Sequence, residues 1–509
     1  MSSTITLPLW LFAVLLALAA WAAGVLLLAP GMRWFFRRRI NRLIDDVNTR
    51  LQLQLPRFNL TRREVLIDRL FHDPRLQALI ERESARTGEP LMELRRRVDG
   101  FAREIVPAFN PYVYFRVGYW LAKLVARALY RVRLGYLDEA GLAAVGPKSS
   151  VVFVMNHRSN FDYILVAFMA AERTALSYAV GEWARVWPLQ AMVRSMGAYF
   201  VRRNSGDPLY RAVLSRYVQM ATEAGVPQAL FPEGGLTLDG ALRPPKFGLL
   251  DYMVKGFDAQ GDRDIVFIPV GINYDRVLED RTQLLKLQPD RRRTGLGRAL
   301  GKTLGFALRN LRLVLGRRWY RLGYACVNFG SPVSLRQHAR DFRVDFRALD
   351  DVSRKPVVAA LGDRLMQAIG QVIPVVPVAL VALVMRQAPQ KVHSMLEIKS
   401  AAFGLMDEWE RRGAHVYIPR ADRDYAIEVG LRMLLLRHIV GEAEEGLYRI
   451  NEDHRAVLDY YANSIVHFGE RVAPSPRVQP SRLSPAAEGS GEAGRPGGHE
   501  APLVPTRTP

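Results

Sequence analysis

An uncharged, apolar run from Leu7 to Leu28 restricts this chain more than any other feature. About 20 apolar residues are enough to cross the hydrocarbon core of a bilayer. A cleaved signal peptide usually has a basic stretch ahead of a shorter apolar core. Nothing basic precedes this run, and arginines follow it, at Arg33, Arg37, Arg38 and Arg39. The pattern predicts a transmembrane helix over residues 1–32 with the rest of the chain cytoplasmic, at a bacterial inner membrane; a removed leader and an interfacial helix are the alternatives.

The basic excess of the chain indicates acidic partners. Its 509 residues include 71 Lys and Arg against 50 Asp and Glu, which gives a formal net charge of +21. The segment from Arg281 to Arg321 is the most one-sided, because Asp290 is its single acid. Such a surface favours binding to anionic membrane lipid or to an acidic carrier over a merely solvated face. Nucleic acid is not expected as a partner, because no reader motif is recognisable and a membrane anchor argues against it.

The single cysteine, Cys326, excludes an internal disulfide framework and most thiolate metal sites. It follows the apolar stretch Leu322–Ala325 and is predicted to be a buried, unreactive thiol. Histidines and cysteines at metal-ligand spacing are also missing from the sequence, so no metal site is predicted.

Four regions are expected after the membrane helix. Residues 33–147 are predicted to be mostly helical, residues 148–335 to form an α/β domain, and residues 336–472 to be helical again. Residues 473–509 are rich in Pro, Gly, Ser and Glu and are expected to be disordered. Within the first region, residues 112–130 combine apolar, aromatic and basic side chains. This piece is predicted to be either a core helix or a helix at a membrane interface.

Short apolar runs mark the strands of the predicted α/β domain. Each has four to six residues bounded by Gly, Pro or polar residues: Val151–Met155, Ala198–Val201, Gln228–Phe231 and Ile265–Val270. Continuous apolar runs separated by helical patterns are typical of strands covered on both faces, hence of a central, mostly parallel sheet flanked by helices. Ligands of such folds bind outside the carboxyl ends of the strands. We therefore expect the polar residues that follow these runs to converge.

A histidine and a carboxylate follow the first run, at His157 and Asp162. In one regular helix, five residues would set them roughly 140° apart around the axis. They can meet only if the chain turns after His157 and a helix begins near Ser159 or Asn160, both of which are good N-caps. A carboxylate on one ring nitrogen fixes the tautomer and makes the other nitrogen a better base. Such a pair can activate a hydroxyl; a structural histidine is the alternative.

A covalent nucleophile is less well supported by the sequence. Ser159 is nearby, but no Gly-x-Ser-x-Gly elbow surrounds it. Cys326 has no base beside it in sequence. Direct transfer onto a hydroxyl therefore fits these residues better than a covalent intermediate does.

The other strand ends carry further candidate ligands. Arg202 and Arg203 are placed to hold a phosphate by charge-assisted hydrogen bonds, or else form a solvated pair. Glu233 precedes two glycines, the first of which is Gly234. The glycines can let backbone approach a ligand while Glu233 orients a hydroxyl or an arginine, or the stretch is an ordinary turn. Pro269 lies inside the last strand.

These stretches together resemble the glycerolipid acyltransferases. That family has a His-x4-Asp block, a Gly-Ala-aromatic-hydrophobic-Arg-Arg block, a Glu-Gly block and a proline-bearing strand, in this order. The matching blocks here are His157–Asp162, Gly197–Arg203, Phe231–Gly235 and Ile268–Tyr274. Longer stretches are similar to the glycerol-3-phosphate acyltransferase branch of the family: Glu104–Asn110, Pro244–Leu250, Pro269–Glu279, Ile373–Leu383 and Leu458–His467. The resemblance covers residues 65–470.

The resemblance implies a reaction and two catalytic roles. The expected activity is transfer of a fatty acyl group from an acyl thioester to the hydroxyl of glycerol 3-phosphate in phospholipid synthesis. His157 would act as general base on that hydroxyl, and Asp162 would orient it. No cofactor is expected, because acyl-CoA or acyl-carrier protein would be the co-substrate. The alternatives are another acceptor, either 1-acylglycerol 3-phosphate or dihydroxyacetone phosphate, and a non-enzymatic, basic membrane-binding scaffold.

The resemblance also implies substrate-binding roles at the other strand ends. Arg202 or Arg203 would contact the phosphate of the acceptor. Glu233 and Gly234 would shape the acceptor site. Pro269 would help to form the acyl pocket.

The sequence departs from the branch after Gly235. The branch usually continues Arg-Ser-Arg-Thr-Gly, whereas Leu236–Gly240 reads Leu-Thr-Leu-Asp-Gly here. The expected arginines are missing from this loop, and Arg243 and Lys246 are the nearby residues that could substitute for them. The sequence therefore leaves the identity of the acceptor open.

Overall fold

The computed structural model describes the chain at residues 58, 61–170, 175–181, 189–202, 205–287 and 322–469. The transmembrane helix predicted over residues 1–32 lies outside the described residues, as does the tail predicted to be disordered over 473–509. Most of the basic segment that begins at Arg281 also lies outside them. Among the helices that the structure describes, none has the length and apolar character needed to span a membrane.

An eight-stranded sheet lies at the centre of the described part of the chain. Its strands are β1 (Arg131–Leu137), β2 (Ser150–Met155), β3 (Ser177–Val180), β4 (Tyr199–Phe200), β5 (Gln228–Leu230), β6 (Ile265–Tyr274), β7 (Tyr324–Phe329) and β8 (Val333–Ser334). Their order in the sheet is β1-β7-β6-β2-β5-β3-β4, and β8 pairs with β6. Only β7 and β8 run antiparallel to β6, and the other pairs are parallel. The predicted α/β fold with a mostly parallel sheet is confirmed.

Helices cover both faces of this sheet. In chain order they are α1 (Arg63–Phe71), α2 (Pro74–Thr87), α3 (Leu91–Ile105), α4 (Tyr119–Leu129), α5 (Glu139–Ala143), α6 (Asp162–Ala170), α7 (Leu189–Ser195), α8 (Pro208–Glu223), α9 (Gly248–Val254), α10 (Asp280–Leu284), α11 (Leu335–Asp341), α12 (Arg354–Val372), α13 (Pro377–Gln387), α14 (Met395–Arg411), α15 (Arg423–Leu436) and α16 (Arg455–Asn463). A π-helix, Val113–Gly118, leads directly into α4.

Two apolar cores lie against the sheet because strand side chains alternate between its faces. Val152 and Val154 of β2 belong to one core, which also contains residues of α1, α2, α3, α8, α9, α11 and α12. Val151 and Phe153, the residues between them, pack against the other core, which contains residues of α4, α6, α7 and α13 to α16. Burial on both faces explains why β2 and β6 read as continuous apolar runs in the sequence. All ten residues of β6 are buried.

The regions predicted to be helical contain strands as well. Within residues 33–147, β1 pairs with β7, so the prediction of helix is wrong over Arg131–Leu137. Its sequence, Arg-Val-Arg-Leu-Gly-Tyr-Leu, alternates basic and apolar residues because β1 is an edge strand with an exposed side. Within residues 336–472, a second, antiparallel sheet is formed by β9 (His393–Ser394), β10 (Val440–Glu444) and β11 (Leu447–Ile450). Strands this short leave little periodicity to detect.

The single cysteine lies in β7 and is fully buried, as predicted. Burial raises the pKa of the Cys326 thiol well above its ordinary value. A neutral, inaccessible thiol is a poor nucleophile, so this residue belongs to the core.

Candidate active site

The carboxyl end of β2 is fixed to β6 by a side chain rather than by the backbone ladder. Asn156 donates its amide Nδ2 to the carbonyl of Ile272 at 2.8 Å, and its Oδ1 accepts the N–H of the same residue at 2.8 Å. The side-chain amide of Asn156 thus pairs with the backbone N–H and C=O of Ile272. Because the side chain makes these bonds, the backbone of Asn156 can turn away from the sheet. The chain turns at this point and presents His157 at the carboxyl edge of the parallel strands, where ligands of such folds bind.

His157 and Asp162 lie in contact across this turn. The ring nitrogen Nδ1 is 2.9 Å from Asp162 Oδ2. The turn predicted after His157 is present, and Asp162 N donates to the carbonyl of Ser159 at 3.0 Å within it. The helix begins at Asp162 rather than near Ser159 or Asn160, because the turn occupies those residues.

The Asp162 carboxylate is held as an acceptor on both oxygens. Oδ2 also accepts the backbone N–H groups of Arg158 at 2.7 Å and Ser159 at 3.0 Å. Oδ1 accepts the hydroxyl of Tyr274 at 2.5 Å. The carboxylate also sits at the amino end of α6, where the helix dipole favours negative charge. Because three other groups donate to the Asp162 carboxylate, it is suited to accept Nδ1–H of His157 as well, and in that tautomer Nε2 keeps its lone pair.

Two aromatic rings pack against the imidazole of His157. The Phe231 ring lies 4.0 Å away between centroids at a tilt of 31°, and the Tyr163 ring meets it edge-on at 5.4 Å. Only 4% of the residue is exposed. Among the residues that the structure describes, none makes a hydrogen bond to Nε2. A fixed ring with one unoccupied nitrogen is suited to accept a proton from a hydroxyl placed beside it.

Glu233 ties the end of β5 to the same turn. Its Oε1 accepts the backbone N–H of His157 at 2.8 Å, and its Oε2 accepts that of Arg243 at 3.0 Å. Burial raises the pKa of the Glu233 carboxyl to about 7, although these N–H groups and the charge of Arg158 lower it. Gly234 follows at φ +65, where a side chain would also overlap Lys246. In this geometry Glu233 holds backbone and so positions His157.

A second carboxylate, the half-buried Glu279, supports the turn from beyond β6. Ser159 donates its hydroxyl to Glu279 Oε2 at 2.7 Å. Asn160 donates both its backbone N–H, at 3.3 Å, and its side-chain amide, at 3.2 Å, to Oε1. Burial raises the pKa of the Glu279 carboxyl. The Ser159 hydroxyl is thus committed as a donor to Glu279 and holds the turn, and the prediction that it is not a nucleophile stays a prediction.

Arg158 is a buried cation that the sequence reasoning missed. Its Nη1 donates to the carbonyl of Gly240 at 3.1 Å, and its guanidinium lies over the Tyr460 ring at 5.2 Å. Nε and Nη2 are buried and have no partner among the described residues. Buried donors without acceptors are costly, and a bound ligand is one thing that can supply the missing acceptor. The one feature of the sequence that indicates a role for Arg158 is its position between His157 and Asp162.

The predicted phosphate ligands differ in their surroundings. Arg203 lies outside the described residues. Arg202 forms a two-pronged ion pair with Glu104, with Nε 2.9 Å from Oε1 and Nη2 on Oε2. The Glu104 pair raises the pKa of Arg202, and the rings of Phe101 and Tyr210 flank its guanidinium. The structure therefore gives Arg202 a partner of its own, at the end of β4.

The remaining predicted residues lie around the same edge of the sheet. Lys246 is exposed, and its backbone N–H donates to the carbonyl of Pro232 at 2.7 Å. Arg243 uses Nη1 to bind the carbonyl of Leu236 at 3.1 Å, so it braces the loop from which the branch's arginines are missing. Pro269 is buried in β6 opposite Val154.

The arrangement can perform base chemistry without a covalent intermediate. A hydroxyl near His157 Nε2 would lose its proton to the ring, and Asp162 would stabilise the resulting imidazolium. Within the described residues, no group of three or more His, Cys, Asp or Glu side chains could hold a metal ion.

Two protein-family models match the chain. The acyltransferase family matches residues 138–273, which contain the turn from His157 to Asp162 and Glu233. The glycerol-3-phosphate acyltransferase C-terminal region matches residues 308–469. The matched ranges account for most of the described part of the chain beyond α4.

Curated relatives are similar over most of this chain. A glycerol-3-phosphate acyltransferase of Pseudomonas syringae pv. syringae (strain B728a) is 26% identical over 424 residues, which cover 80% of this chain and 49% of the relative. A glycerol-3-phosphate acyltransferase of Aeromonas hydrophila subsp. hydrophila is 27% identical over 439 residues, which cover 82% of this chain and 51% of the relative. The chain spans about half the length of the curated relatives it matches.

A solved structure also matches part of the chain. The 1-acyl-sn-glycerophosphate acyltransferase of Thermotoga maritima aligns with 50% of this chain and 78% of its own, at 16% sequence identity and a TM-score of 0.29.

Proposed function

Because this chain belongs to the glycerolipid acyltransferases, in their glycerol-3-phosphate acyltransferase branch, we propose that it transfers a fatty acyl group from an acyl thioester to the hydroxyl of glycerol 3-phosphate in phospholipid synthesis. The observation that carries the proposal is the hydrogen bond from His157 Nδ1 to Asp162 Oδ2 at 2.9 Å. It lies inside the stretch that matches the acyltransferase family. The acyl donor is acyl-CoA or acyl-carrier protein, and no cofactor takes part.

The reaction needs one base and no covalent enzyme intermediate. His157 Nε2 removes the proton of the acceptor hydroxyl as its oxygen bonds to the thioester carbon. Asp162 stabilises the imidazolium through Nδ1–H. When the tetrahedral intermediate collapses, the carbon–sulfur bond breaks and the thiolate takes the proton from Nε2. Tyr274 and Glu233 act as positioning residues, because they hold the carboxylate and the backbone of His157 respectively.

The phosphate of the acceptor must meet positive charge close to His157. We assign Arg158 to it, because its Nε and Nη2 have no acceptor among the described residues. Arg203 and Lys246 are the further ligands we propose. Arg202 contributes less, because its guanidinium is already paired with Glu104. These three cations supply the positive charge that the loop after Gly235 lacks. Gly234 shapes the acceptor site, and Pro269 helps to form the acyl pocket.

The proposal includes a membrane location. The helix over residues 1–32, which contains the apolar run, anchors the chain in a bacterial inner membrane, and the basic excess binds anionic lipid on the cytoplasmic side. Support comes from the sequence alone, since those residues lie outside the described ones. Protease added to right-side-out and inverted vesicles tests the orientation, because the catalytic region should be cleaved only in inverted ones.

The decisive experiment offers the purified full-length chain a labelled acyl thioester with a panel of acceptors. Glycerol 3-phosphate should be acylated fastest. Faster transfer to 1-acylglycerol 3-phosphate or dihydroxyacetone phosphate would replace the proposed acceptor while keeping the reaction. Transfer to none of them, by folded protein that binds membranes, would establish the scaffold instead.

A further inference from the structure

The helix that precedes β1 leaves an apolar face without a protein partner among the described residues. The π-helix and α4 form one rod over Val113–Leu129. One side of the rod enters the core through its buried residues Tyr114, Gly118, Ala122 and Ala126. The other side is exposed at Val117 (45%), Trp120 (62%) and Leu124 (50%), which follow one another at helical spacing. We call these three residues the Trp120 face. Large apolar side chains so exposed and so aligned mark a binding surface.

Positive charge surrounds the Trp120 face. Arg116, Lys123 and Arg127 lie on the same rod, and the residues from Tyr112 to Leu137 include no acid. Among the described residues, no carboxylate forms an ion pair with any of these three cations. Lys123 Nζ instead rests 5.6 Å from the ring of Tyr119. The combination of an aromatic and apolar face with basic flanks is typical of helices that lie in a membrane interface.

A basic cavity adjoins the carboxyl end of the rod. It has a volume of about 480 Å³. Its charged lining is Arg127, Arg131 and Arg133, and its apolar lining includes Leu134, Phe168 and Met169. Arg131 and Arg133 contact the hydroxyls of Tyr324 and Tyr417, at 3.4 and 3.2 Å, so neither charge is neutralised there. Arginines beside an apolar wall provide both halves of a phospholipid site, one for a phosphate and one for the start of an acyl chain.

The rod packs on the helix that carries the candidate catalytic carboxylate. Tyr119 stacks on Phe168 of α6 with ring centroids 6.0 Å apart. Phe168 lies six residues beyond Asp162 along α6, a rise of about 9 Å. The Trp120 face is therefore one helix away from the turn that holds His157.

From these observations we infer that the Trp120 face, with the arginine-lined cavity beside it, docks the catalytic region onto an anionic phospholipid surface. The face would enter the apolar boundary of the bilayer, and the cations would meet lipid phosphates. This is a second membrane contact, separate from the anchor proposed for residues 1–32. The docking surface is inferred from geometry alone. Its purpose, which is to bring the active site to the membrane, rests on the proposed function.

A second copy of the chain is the weaker candidate as occupant. A symmetric contact would place the same face of each copy against the other. Arg116, Lys123 and Arg127 of both copies would then approach one another without any acid on the rods to separate them. Anionic lipid offers the opposite charge, and the two occupants give different results in the experiment below.

The test uses the full-length chain with one fluorescent label. Cys326 is the only cysteine in the sequence and is fully buried, so an introduced cysteine reacts alone. Leu124→Cys carries an environment-sensitive fluorophore on the Trp120 face. Leu396→Cys is the matched control, since Leu396 is 77% exposed on α14 and neighbours the ion-paired Glu397. Each protein is bound to vesicles of phosphatidylcholine and phosphatidylglycerol that carry nitroxide-labelled lipid, without substrates.

Docking predicts quenching at position 124 and none at position 396. The label at 124 should also shift to the blue and lose roughly half or more of its intensity to the lipid-borne quencher. An unquenched label at 124 on protein that floats with the vesicles would overturn the inference, because the chain would then be held by its anchor alone. A blue shift that needs no vesicles and grows with protein concentration would overturn it too, in favour of a second copy.

The charge component is tested by a triple variant on the labelled protein. Arg116→Gln, Lys123→Gln and Arg127→Gln together should bring quenching at position 124 close to the control value, and vesicles of phosphatidylcholine alone should do the same. Undiminished quenching in the triple variant would exclude the role of the cations. Acyl transfer to soluble acceptors should persist in all of these variants, so a failure of docking and a failure of the proposed reaction are separate results.

Discussion

Tyr274, the last residue of β6, donates its hydroxyl to Oδ1 of Asp162, the first residue of α6, over 2.5 Å. The two residues are 112 positions apart, and both are fully buried. Burial raises the pKa of Tyr274 well above its ordinary value, so the hydroxyl keeps its proton and remains a donor. Through Tyr274, the sheet therefore holds the Asp162 carboxylate in place, and that carboxylate orients the imidazole of His157.

Removal of that hydroxyl should slow the reaction while leaving substrate binding nearly unchanged. We expect Tyr274→Phe to lower kcat about tenfold with little change in KM, because Asp162 loses one of the donors that hold it. Tyr130→Phe is the matched control: Tyr130 is equally buried, packs 5.2 Å from the Tyr274 ring and donates to the carbonyl of Arg276 instead. Equal kcat values for the two variants would show that the hydroxyl of Tyr274 has no special role.

Loss of the imidazole should abolish acyl transfer without unfolding the chain. His157→Ala should reduce kcat by about 10³-fold or more, since the hydroxyl then has no base. Asp162→Asn should be similarly inactive, because an amide cannot accept the backbone N–H groups and Nδ1–H together. Steady-state rates with a labelled thioester, together with circular dichroism, check both. A folded His157→Ala protein that retains the parental rate would refute the assigned base.

The two neighbouring arginines should behave differently. Arg203→Ala should raise the KM for glycerol 3-phosphate, because it removes a proposed phosphate ligand. Arg202→Ala should change that KM less and should lower the free energy of unfolding by about 1 kcal/mol, since it breaks a partly exposed ion pair with Glu104. Glu104→Gln should lose about the same stability, and a double-mutant cycle should show that the losses are not additive. A large rise in KM for Arg202→Ala alone would restore its role as a phosphate ligand.

The titration of Glu233 should be visible in stability. Its pKa of about 7 in the folded chain exceeds the ordinary 4.5, so the folded state holds this proton more tightly than the unfolded state does. The stability that comes from the proton is complete below about pH 4.5 and is lost as pH rises through 7. Between these limits, the parent should lose on the order of 3 kcal/mol relative to Glu233→Gln, which cannot titrate.

Denaturant unfolding of parent and variant at several pH values measures this difference. Glu233→Gln also loses an acceptor for the N–H of Arg243, but that offset does not depend on pH. The titration of Glu233 is therefore reported by how the difference in the free energy of unfolding between the two proteins changes with pH. If the free energy of unfolding changes with pH in the same way for the two proteins, Glu233 is already ionised in the folded chain at the lowest pH measured.

Gly240 should tolerate no side chain. It has φ +90, and a Cβ would overlap the carbonyl oxygen of Tyr460 in α16. Gly240→Ala should therefore cost roughly 2–3 kcal/mol and displace the carbonyl that Arg158 binds. Gly404→Ala is the control, since it lies within α14 with open space around it and should be neutral or slightly stabilising. Thermal unfolding compares the two; equal melting temperatures would contradict the predicted clash.

The sequence was most informative where burial leaves a simple pattern. The apolar run at β2 and the polar cluster after it predicted both the strand and the meeting of His157 with Asp162. The strand β6 was predicted four residues too short, because Gly271 and Asn273 interrupt its apolar character. The edge strand β1 was missed, because one exposed side gives it alternating arginines.

Long-range partners could not be read in the same way. Tyr274 and Glu279 reach the turn only because β2 and β6 are neighbours in the sheet. That adjacency depends on strand order, which local patterns do not encode. The partner of Arg202 was equally hidden, since Glu104 lies 98 residues earlier at the end of α3.

The position of β7 between β1 and β6 has a consequence for the order in which the chain can be completed. Residues 131–137 leave the ribosome nearly 190 residues before Tyr324–Phe329, which is their one partner among the strands that the structure describes. Until then the nascent chain must carry an unmatched row of backbone donors and acceptors, which invites wrong pairing. A polypeptide truncated before residue 322 would keep every candidate catalytic group and still fail to close its sheet.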